Sequence, residues 1–346
     1  MVGNVKARYV KHTLLFKRPS GTSRGVLNEK ETFFIILEDG EKIGVGECGL
    51  LRGLSIDDVP EYEAILQGSC EAITEDNFNP DSLSSFPSLQ MGFEMAQRSL
   101  QAENPFILFK TTFTEDTFQI PINGLVWMGD VDFMQSQIQE KITAGFSCIK
   151  LKIGALDFDK ELQLLEEIRN HFTTDQIEIR VDANGAFSND SAFDKLKQLA
   201  RYDIHSIEQP IARGQEEFMN TLCRESPIPI ALDEELIGIS TTQIESLLDA
   251  IQPQYIILKP SLLGGFTITE QWIQHATKRK IGWWVTSALE SNIGLSAIAQ
   301  WTAEMGCNWP QGLGTGSLYS NNIPSPLVVE NGYLRYDLKR SWKFNF

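Results

Sequence analysis

Residues 148–154 read CIKLKIG. Ile149, Leu151 and Ile153 alternate with Lys150 and Lys152, so an extended strand puts the aliphatic side chains on one face and both ammonium groups on the other. A helical pattern of Phe133, Ile138 and Ile142 precedes the stretch, and another of Leu162, Leu165 and Ile168 follows it. That is the setting of a parallel strand covered on both faces. In such a strand the two lysines point inward.

Working outward, the chain from about residue 119 repeats strand, loop and helix with roughly 25 to 30 residues per unit, the spacing of βα units. The candidate strands are QIPINGLV, CIKLKIG, IEIRVDANG, DIHSIEQP, IPIALDEE, YIILKPS, GWWVTSA and NWPQGLG. Helical patterns such as Ile244, Leu247, Leu248 and Ile251 lie between most of them. Eight such strands predict a closed α/β barrel of the (β/α)8 type over residues 116–317; a doubly wound open sheet shares the local pattern. Residues 1–115 read differently. ARYVKHTLLFK, ETFFIILEDG and EKIGVGECG are antiparallel strands, the last two joined at Asp39-Gly40, and two helical stretches follow around 57–71 and 88–102. This is an α+β module. PSPLVVENGYLRYDL has strand character, so residues 318–346 are expected to return to that module and complete it.

With 30 basic and 46 acidic residues the formal charge is −16, which argues against nucleic acid or an anionic membrane as a partner. The five cysteines contain no C-x-x-C pair and read as reduced core residues rather than a disulfide framework or a zinc site. The N-terminal stretch lacks the apolar core of a signal peptide, and no run approaches the ~20 apolar residues of a membrane span. A cytoplasmic protein acting on a small molecule is expected.

The charges that interrupt the apolar strands fall at or near their C-terminal ends: Lys150 and Lys152, Asp182, Glu208, Asp233 and Lys259. In a closed barrel those ends share one mouth, where catalytic groups belong. Asp182, Glu208 and Asp233 come from three consecutive strands, and three close carboxylates do not all stay ionised without a cation. A hard divalent ion, Mg²⁺ or Mn²⁺, meets that need and leaves room for a substrate oxygen. Capping of the following helix is the plain alternative for Asp182 and Asp233. Asp190 and Glu235 are read as surface or capping acids, and His205, within the fourth strand, as a structural histidine.

A lysine that acts as a base needs its pKa brought from ~10.4 towards ~7 to 8, about 4 kcal/mol. Lys150 and Lys152, about 7 Å apart as i and i+2, repel by only about 2 kcal/mol at an effective dielectric near 20. Desolvation and a nearby divalent cation have to supply the rest. The chemistry this set suggests is removal of a proton α to a carboxylate, with cations holding the enediolate. A metal-free aldolase using Lys259 as a Schiff-base nucleophile is the rival.

These residues resemble the enolase superfamily and, within it, the muconate-lactonizing subgroup, which carries Lys-x-Lys on the second barrel strand and one Lys on the sixth. The resemblance covers nearly the whole chain, including GECGLLRGLS (46–55), which is similar to the lid of that family's N-terminal capping domain. It implies Lys152 as the base, Lys150 as a substrate-stabilising cation, Lys259 as the opposing lysine, and Asp182, Glu208 and Asp233 as Mg²⁺ ligands. Members of the subgroup dehydrate, cycloisomerise, racemise or epimerise. Dipeptide epimerases usually place Asp-x-Asp in the region of GLGTGSLYSNN (312–322), whereas residues 308–322 contain no acid. The stretch is similar to that of the dehydrating members, which implies loss of water from a carboxylate substrate, with Lys259 a cation rather than a second base. Thr286 and Ser287, ending the seventh strand, are candidates for a second carboxylate of the substrate, or plain structural hydroxyls. Trp283 and Trp284 are read as core.

Overall fold

The computed structural model describes residues 5–22 and 25–344. The chain opens with three strands, β1 (Lys6–Thr22), β2 (Gly25–Asp39) and β3 (Lys42–Cys48), and two helices, α1 (Tyr62–Thr74) and α2 (Pro87–Gln101). The strands form an antiparallel sheet in the order β1-β2-β3, with the β2–β3 turn at the expected Asp39-Gly40. Phe33, Ile35 and Leu37 on one face of β2 pack with Tyr62 and Leu66 of α1 and with Leu89, Phe93 and Ala96 of α2. Alternation along β2 thus supplies a core for this cap.

A second unit follows: β4 (Ile120–Pro121), β5 (Gly124–Val126), α3 (Val131–Thr143), β6 (Cys148–Lys152), α4 (Phe158–His171), β7 (Glu178–Asp182), α5 (Asn189–Leu199), β8 (Ser206–Glu208), α6 (Glu216–Glu225), β9 (Ile230–Leu232), α7 (Ile244–Ile251), β10 (Tyr255–Leu258), α8 (Pro260–Leu263), α9 (Phe266–Lys278), β11 (Gly282–Val285) and α10 (Asn292–Glu304). Strands β5 to β11 form one parallel sheet in sequence order. The expected eighth strand is reduced to two residues. Gln311 bridges Ile122 and Gly312 bridges Thr286, so four backbone hydrogen bonds join the sheet's two edges through Pro121, Asn123, Val285 and Ser287. Pro310, which has no N–H to give a ladder, limits this strand at its start. After it, β12 (Leu327–Glu330) and β13 (Tyr333–Tyr336) form a hairpin that pairs with β4. The C-terminal segment also reaches the cap: Ser320 N–H donates to Leu15 O, and the Phe344 ring meets Phe34 edge-on.

The aliphatic residues of the barrel strands face the helices, as Ile149, Leu151, Ile179, Val181 and Ile207 do in the main core. Their alternates face inward. Register sets Lys150 opposite Arg180 and Arg180 opposite Ser206, then Lys152 opposite Asp182 and Asp182 opposite Glu208. Since i and i+2 share a face, the barrel interior is built in levels, and the last level of β6, β7 and β8 is ionic. Among the described residues, no helix is long and apolar enough to cross a membrane.

Candidate active site

The six charged residues expected at the strand ends are brought together. Lys150 Nζ lies 2.7 Å from both carboxylate oxygens of Glu208 and 2.9 Å from Asp182 Oδ2. Lys152 Nζ donates to Asp182 Oδ2 at 3.1 Å and to Asn184 Oδ1 at 2.7 Å. Lys259, directly after β10, donates to Asp233 Oδ2 at 2.5 Å. All six side chains are largely buried, with Lys259 the most exposed at 13 %. Above them lies a cavity of about 620 Å³, lined by Lys150, Lys152, Asp182 and Lys259, among others. Glu208 and Asp233 do not line it and meet it through their lysine partners.

Burial disfavours charge in such a cluster, yet opposite charges override it at Lys150, Lys259 and Asp182. For Lys150 desolvation is outweighed by Asp182 and Glu208, which hold the ammonium well above its ordinary range. Lys259 is also raised, against burial, by Asp233 and Glu208. Asp182 is held well below the usual carboxylate range, against burial, by Lys150 and Lys152. Glu208 goes the other way: burial and the neighbouring Asp182 push it up to about 8 in spite of Lys150. Three ammonium groups thus face three carboxylates, and Glu208 is the carboxylate whose charge burial and Asp182 leave least supported.

The chemistry of these donors is the observation against which a metal is judged. The carboxylates of Asp182, Glu208 and Asp233 form an oxygen-only, hard donor set, which fits Mg²⁺ or Mn²⁺ and suits no soft metal. Among the described residues no three acidic, histidine or cysteine side chains have their donors already converged as a metal site. Each carboxylate turns instead to a lysine. Helix capping does not account for them. Asp233 makes no side-chain cap bond, and Asp182 Oδ1 accepts from Asn184 N–H at 3.0 Å in a loop, not at a helix start.

Several residues that support the site were missed in the sequence. Asn184, at φ +44°, orients Lys152 and donates through Nδ2 to Glu234 Oε1 at 2.9 Å. Gln209, fully buried at φ +41°, accepts from the N–H groups of Asp233 and Glu235 and donates to Glu235 Oε2 at 3.0 Å. Glu235 is thus a buried strut between Gln209 and Gly214, not the surface or capping acid expected. Glu161 gathers the N–H groups of Gly154, Ala155 and Leu156 behind Lys152. Gly154 itself sits at φ +99°, where a Cβ would come within 2.5 Å of Ala186 Cβ, so only glycine fits.

Thr286 and Ser287 both line the cavity. Ser287 differs in that its hydroxyl is already engaged, donating to Glu290 and accepting from Thr315. Leu51, Arg52, Gly53 and Leu54 of the 46–55 stretch line the cavity from the cap side, and Arg52 is held by Glu31 at 3.0 Å and Asp58 at 2.6 Å. The tip of the β1–β2 hairpin also reaches it, through Lys17, Arg18, Ser20 and Val26. Trp284 is buried and packs 4.2 Å from the Arg180 guanidinium, and Trp283 is a partly buried residue packed against the main core. His205 is half-buried against Tyr255 and Trp284, with Nδ1 3.0 Å from Ser206 Oγ, away from the mouth.

The barrel with an antiparallel cap and a lysine–carboxylate rim defines a class of enzyme. Residues 134–339 match the family model described as enolase C-terminal domain-like, and the chain belongs to the enolase superfamily. Over 96 % of its length it is 46 % identical to an o-succinylbenzoate synthase of Desulfotalea psychrophila, 99 % of which is covered, and this relationship places it in the o-succinylbenzoate synthase family. The crystal structure of MenC from the same organism superposes with a TM-score of 0.82 at 44 % identity, over 96 % of this chain and 99 % of that one. A muconate lactonizing enzyme from Pseudomonas fluorescens shares the fold, with a TM-score of 0.80 at 21 % identity over 99 % and 98 % of the two chains.

Proposed function

We infer that the chain catalyses the o-succinylbenzoate synthase reaction, the dehydration of 2-succinyl-6-hydroxy-2,4-cyclohexadiene-1-carboxylate to 2-succinylbenzoate and water, as a step of menaquinone biosynthesis. The relationship to the Desulfotalea enzyme, full-length and at 46 % identity, carries this reading. Lys152 takes the proton α to the ring carboxylate and returns it to the departing hydroxyl, so a single base serves both half-steps. Its Nζ is aimed by Asp182 and Asn184, and the Asn184 backbone is fixed in turn through Asp182 Oδ1. Lys150 and Lys259 hold the negative charge that develops when the proton leaves, in a site where burial strengthens each interaction. Asp182, Glu208 and Asp233 would hold a divalent cation, which would supply charge that acidifies the α-proton and would loosen the hold of these carboxylates on the lysine ammoniums.

Racemases and epimerases of the same superfamily use lysines on both sides of the substrate, and Lys259 faces the mouth here as well. The absence of any acid from residues 308–322 favours dehydration, since cavity-lining Gly312, Gly314, Thr315 and Ser317 offer no carboxylate to a dipeptide's ammonium. The five buried, unpaired cysteines favour a reducing compartment, the cytoplasm. The test is an assay with the cyclohexadiene substrate, with and without Mg²⁺, read by ultraviolet absorbance of the aromatic product. Substrate returned with solvent deuterium at the α-carbon and no aromatic product would mark a racemase instead.

A further inference from the structure

Where the cap meets the barrel, two carboxylates and one ammonium are buried outside the machinery described so far. Glu290, fully buried after β11, accepts from Ser261 Oγ at 2.6 Å and from Ser287 Oγ at 2.5 Å. Ser261 stands two residues beyond Lys259, on a turn whose next two N–H groups, of Leu262 and Leu263, donate to Lys259 O. Ser287 belongs to the cavity wall. The same pair faces the cap. A Cβ on Gly49 would lie 2.8 Å from Ser261 Oγ and 3.0 Å from Glu290 Cγ, so the root of the 49–55 loop rests directly on both residues.

Glu47, two residues earlier, accepts from Thr32 Oγ1 at 2.7 Å, from Ser291 N–H and Oγ at 2.8 and 2.6 Å, and from Gly294 N–H at 2.7 Å. It thereby sets its charge on the N-terminus of α10. Lys30 of β2 is 5 % exposed and its Nζ makes no hydrogen bond; the nearby carboxylates acting on it are those of Glu47 and Glu290. Burying such charges is costly unless they are paired or hydrogen-bonded, and apolar packing already joins cap to barrel through Leu51, Leu54, Ile237, Leu262 and Ala288. The carboxylate of Glu290 adds something packing does not: one rigid group bonded to the end of the sixth barrel strand and to the end of the seventh, with the root of the lid seated on it.

We propose that Glu290 is a positioning residue that couples seating of the 49–55 loop to placement of Lys259. Docking of the loop presses Gly49 onto Ser261 and Glu290, and the turn carrying Lys259 is held only while that pair is in register. The proposal rests on the role given above to Lys259, and its test keeps the two separable. A double-mutant cycle in kcat/KM is run on the Mg²⁺-loaded enzyme with Gly49→Ala and Glu290→Gln. Each single change is expected to lower kcat/KM by about 10- to 100-fold, mainly through kcat. The double variant should fall no more than about threefold below the worse single. Losses that multiply, or a lowered Tm with kcat intact, would overturn the coupling. If Glu290→Gln does not fold, Ser261→Ala replaces it in the cycle under the same criterion. Lys259→Ala is assayed alongside: retained turnover overturns the role of Lys259 and the proposal with it, whereas an inactive Lys259→Ala beside a multiplicative cycle overturns the coupling alone.

Discussion

The two ends of the barrel interior are made by the same strands and both carry charge, yet they are built to opposite purposes. At the lower end Arg180 is 1 % exposed, with Nε bound to Glu178 at 2.7 Å, Nη1 bound to Pro310 O at 2.9 Å and its plane against Trp284. His205 and Tyr255 pack against Trp284, and Trp309 meets Tyr255 edge-on, which completes an aromatic plug. Two residues further along the strands, Lys152 and Asp182 line an open cavity, with Glu208 beside Asp182 in the ladder and bound to Lys150. A buried charge with its own dedicated partners and an aromatic lid is inert scaffolding. A cluster that shares partners and stays open on one side can exchange them for substrate or ion.

Removal of divalent metal should sharpen this contrast most. EDTA should abolish turnover, with activity restored by Mg²⁺, while leaving the aromatic near-ultraviolet signal of the plug unchanged; full activity in EDTA would remove the case for the carboxylate cluster as a metal site. Lys152→Ala should lower kcat by about 10³- to 10⁴-fold with little change in Tm. Retained turnover would refute its assignment as the base. Lys259→Ala should cost about 3 kcal/mol of transition-state stabilisation, read in kcat/KM. Arg180→Leu should do the reverse, losing about 3 kcal/mol of stability through its stacking and charged hydrogen bonds while kcat stays within about tenfold. A dead but fully stable Arg180→Leu would erase the distinction between the two ends.

Smaller effects probe each end by titration. Against the cost of burial, Lys150 and Lys152 keep the Asp182 carboxyl below its unfolded range. Its share of stability is therefore whole above about pH 4 and is lost as pH falls through and below that value. Urea midpoints of the metal-free protein should drop less between pH 5 and pH 3 in Asp182→Asn than in the parent; parallel curves would show no such linkage. At the closed end, burial pushes the Cys148 thiol up to about 12, as it does those of Cys70 on α1 and Cys223 on α6. None should react with a disulfide reagent at pH 8 until the protein is denatured, and modification of native Cys148 would mean that the plug opens.

The functional level of the barrel was legible in the sequence because it violates a pattern. Lys150, Lys152, Asp182, Glu208, Asp233 and Lys259 each interrupt an apolar strand, and the βα spacing puts those interruptions at one end. Residues that obey their local pattern stayed hidden. Glu47 is one charge near the end of a short strand, and its partners Ser291 and Gly294 are more than 240 residues away. Glu235 looks like any acid in a turn until Gln209 is seen to fold back on it at positive φ. The hairpin tip over the cavity was invisible for the same reason, since nothing in Lys17 to Ser20 departs from an ordinary edge. The eighth strand was read as an element, but its pairing is confined to Gln311 and Gly312, because hydrophobic spacing does not report how many ladder bonds a segment makes.

That scant pairing gives the ring of strands a seam. Four backbone bonds fasten it, two to each edge, whereas β6 and β7 share a ladder of five residues. Amide exchange should therefore begin at Gln311 and Gly312 before it reaches the rest of the ring. The segment beyond the seam, from Gly312 to Leu318, is also a wall of the substrate chamber. This wall of the chamber thus hangs on few backbone bonds, and it can be remodelled by evolution without unpicking the strands that carry the lysines and carboxylates.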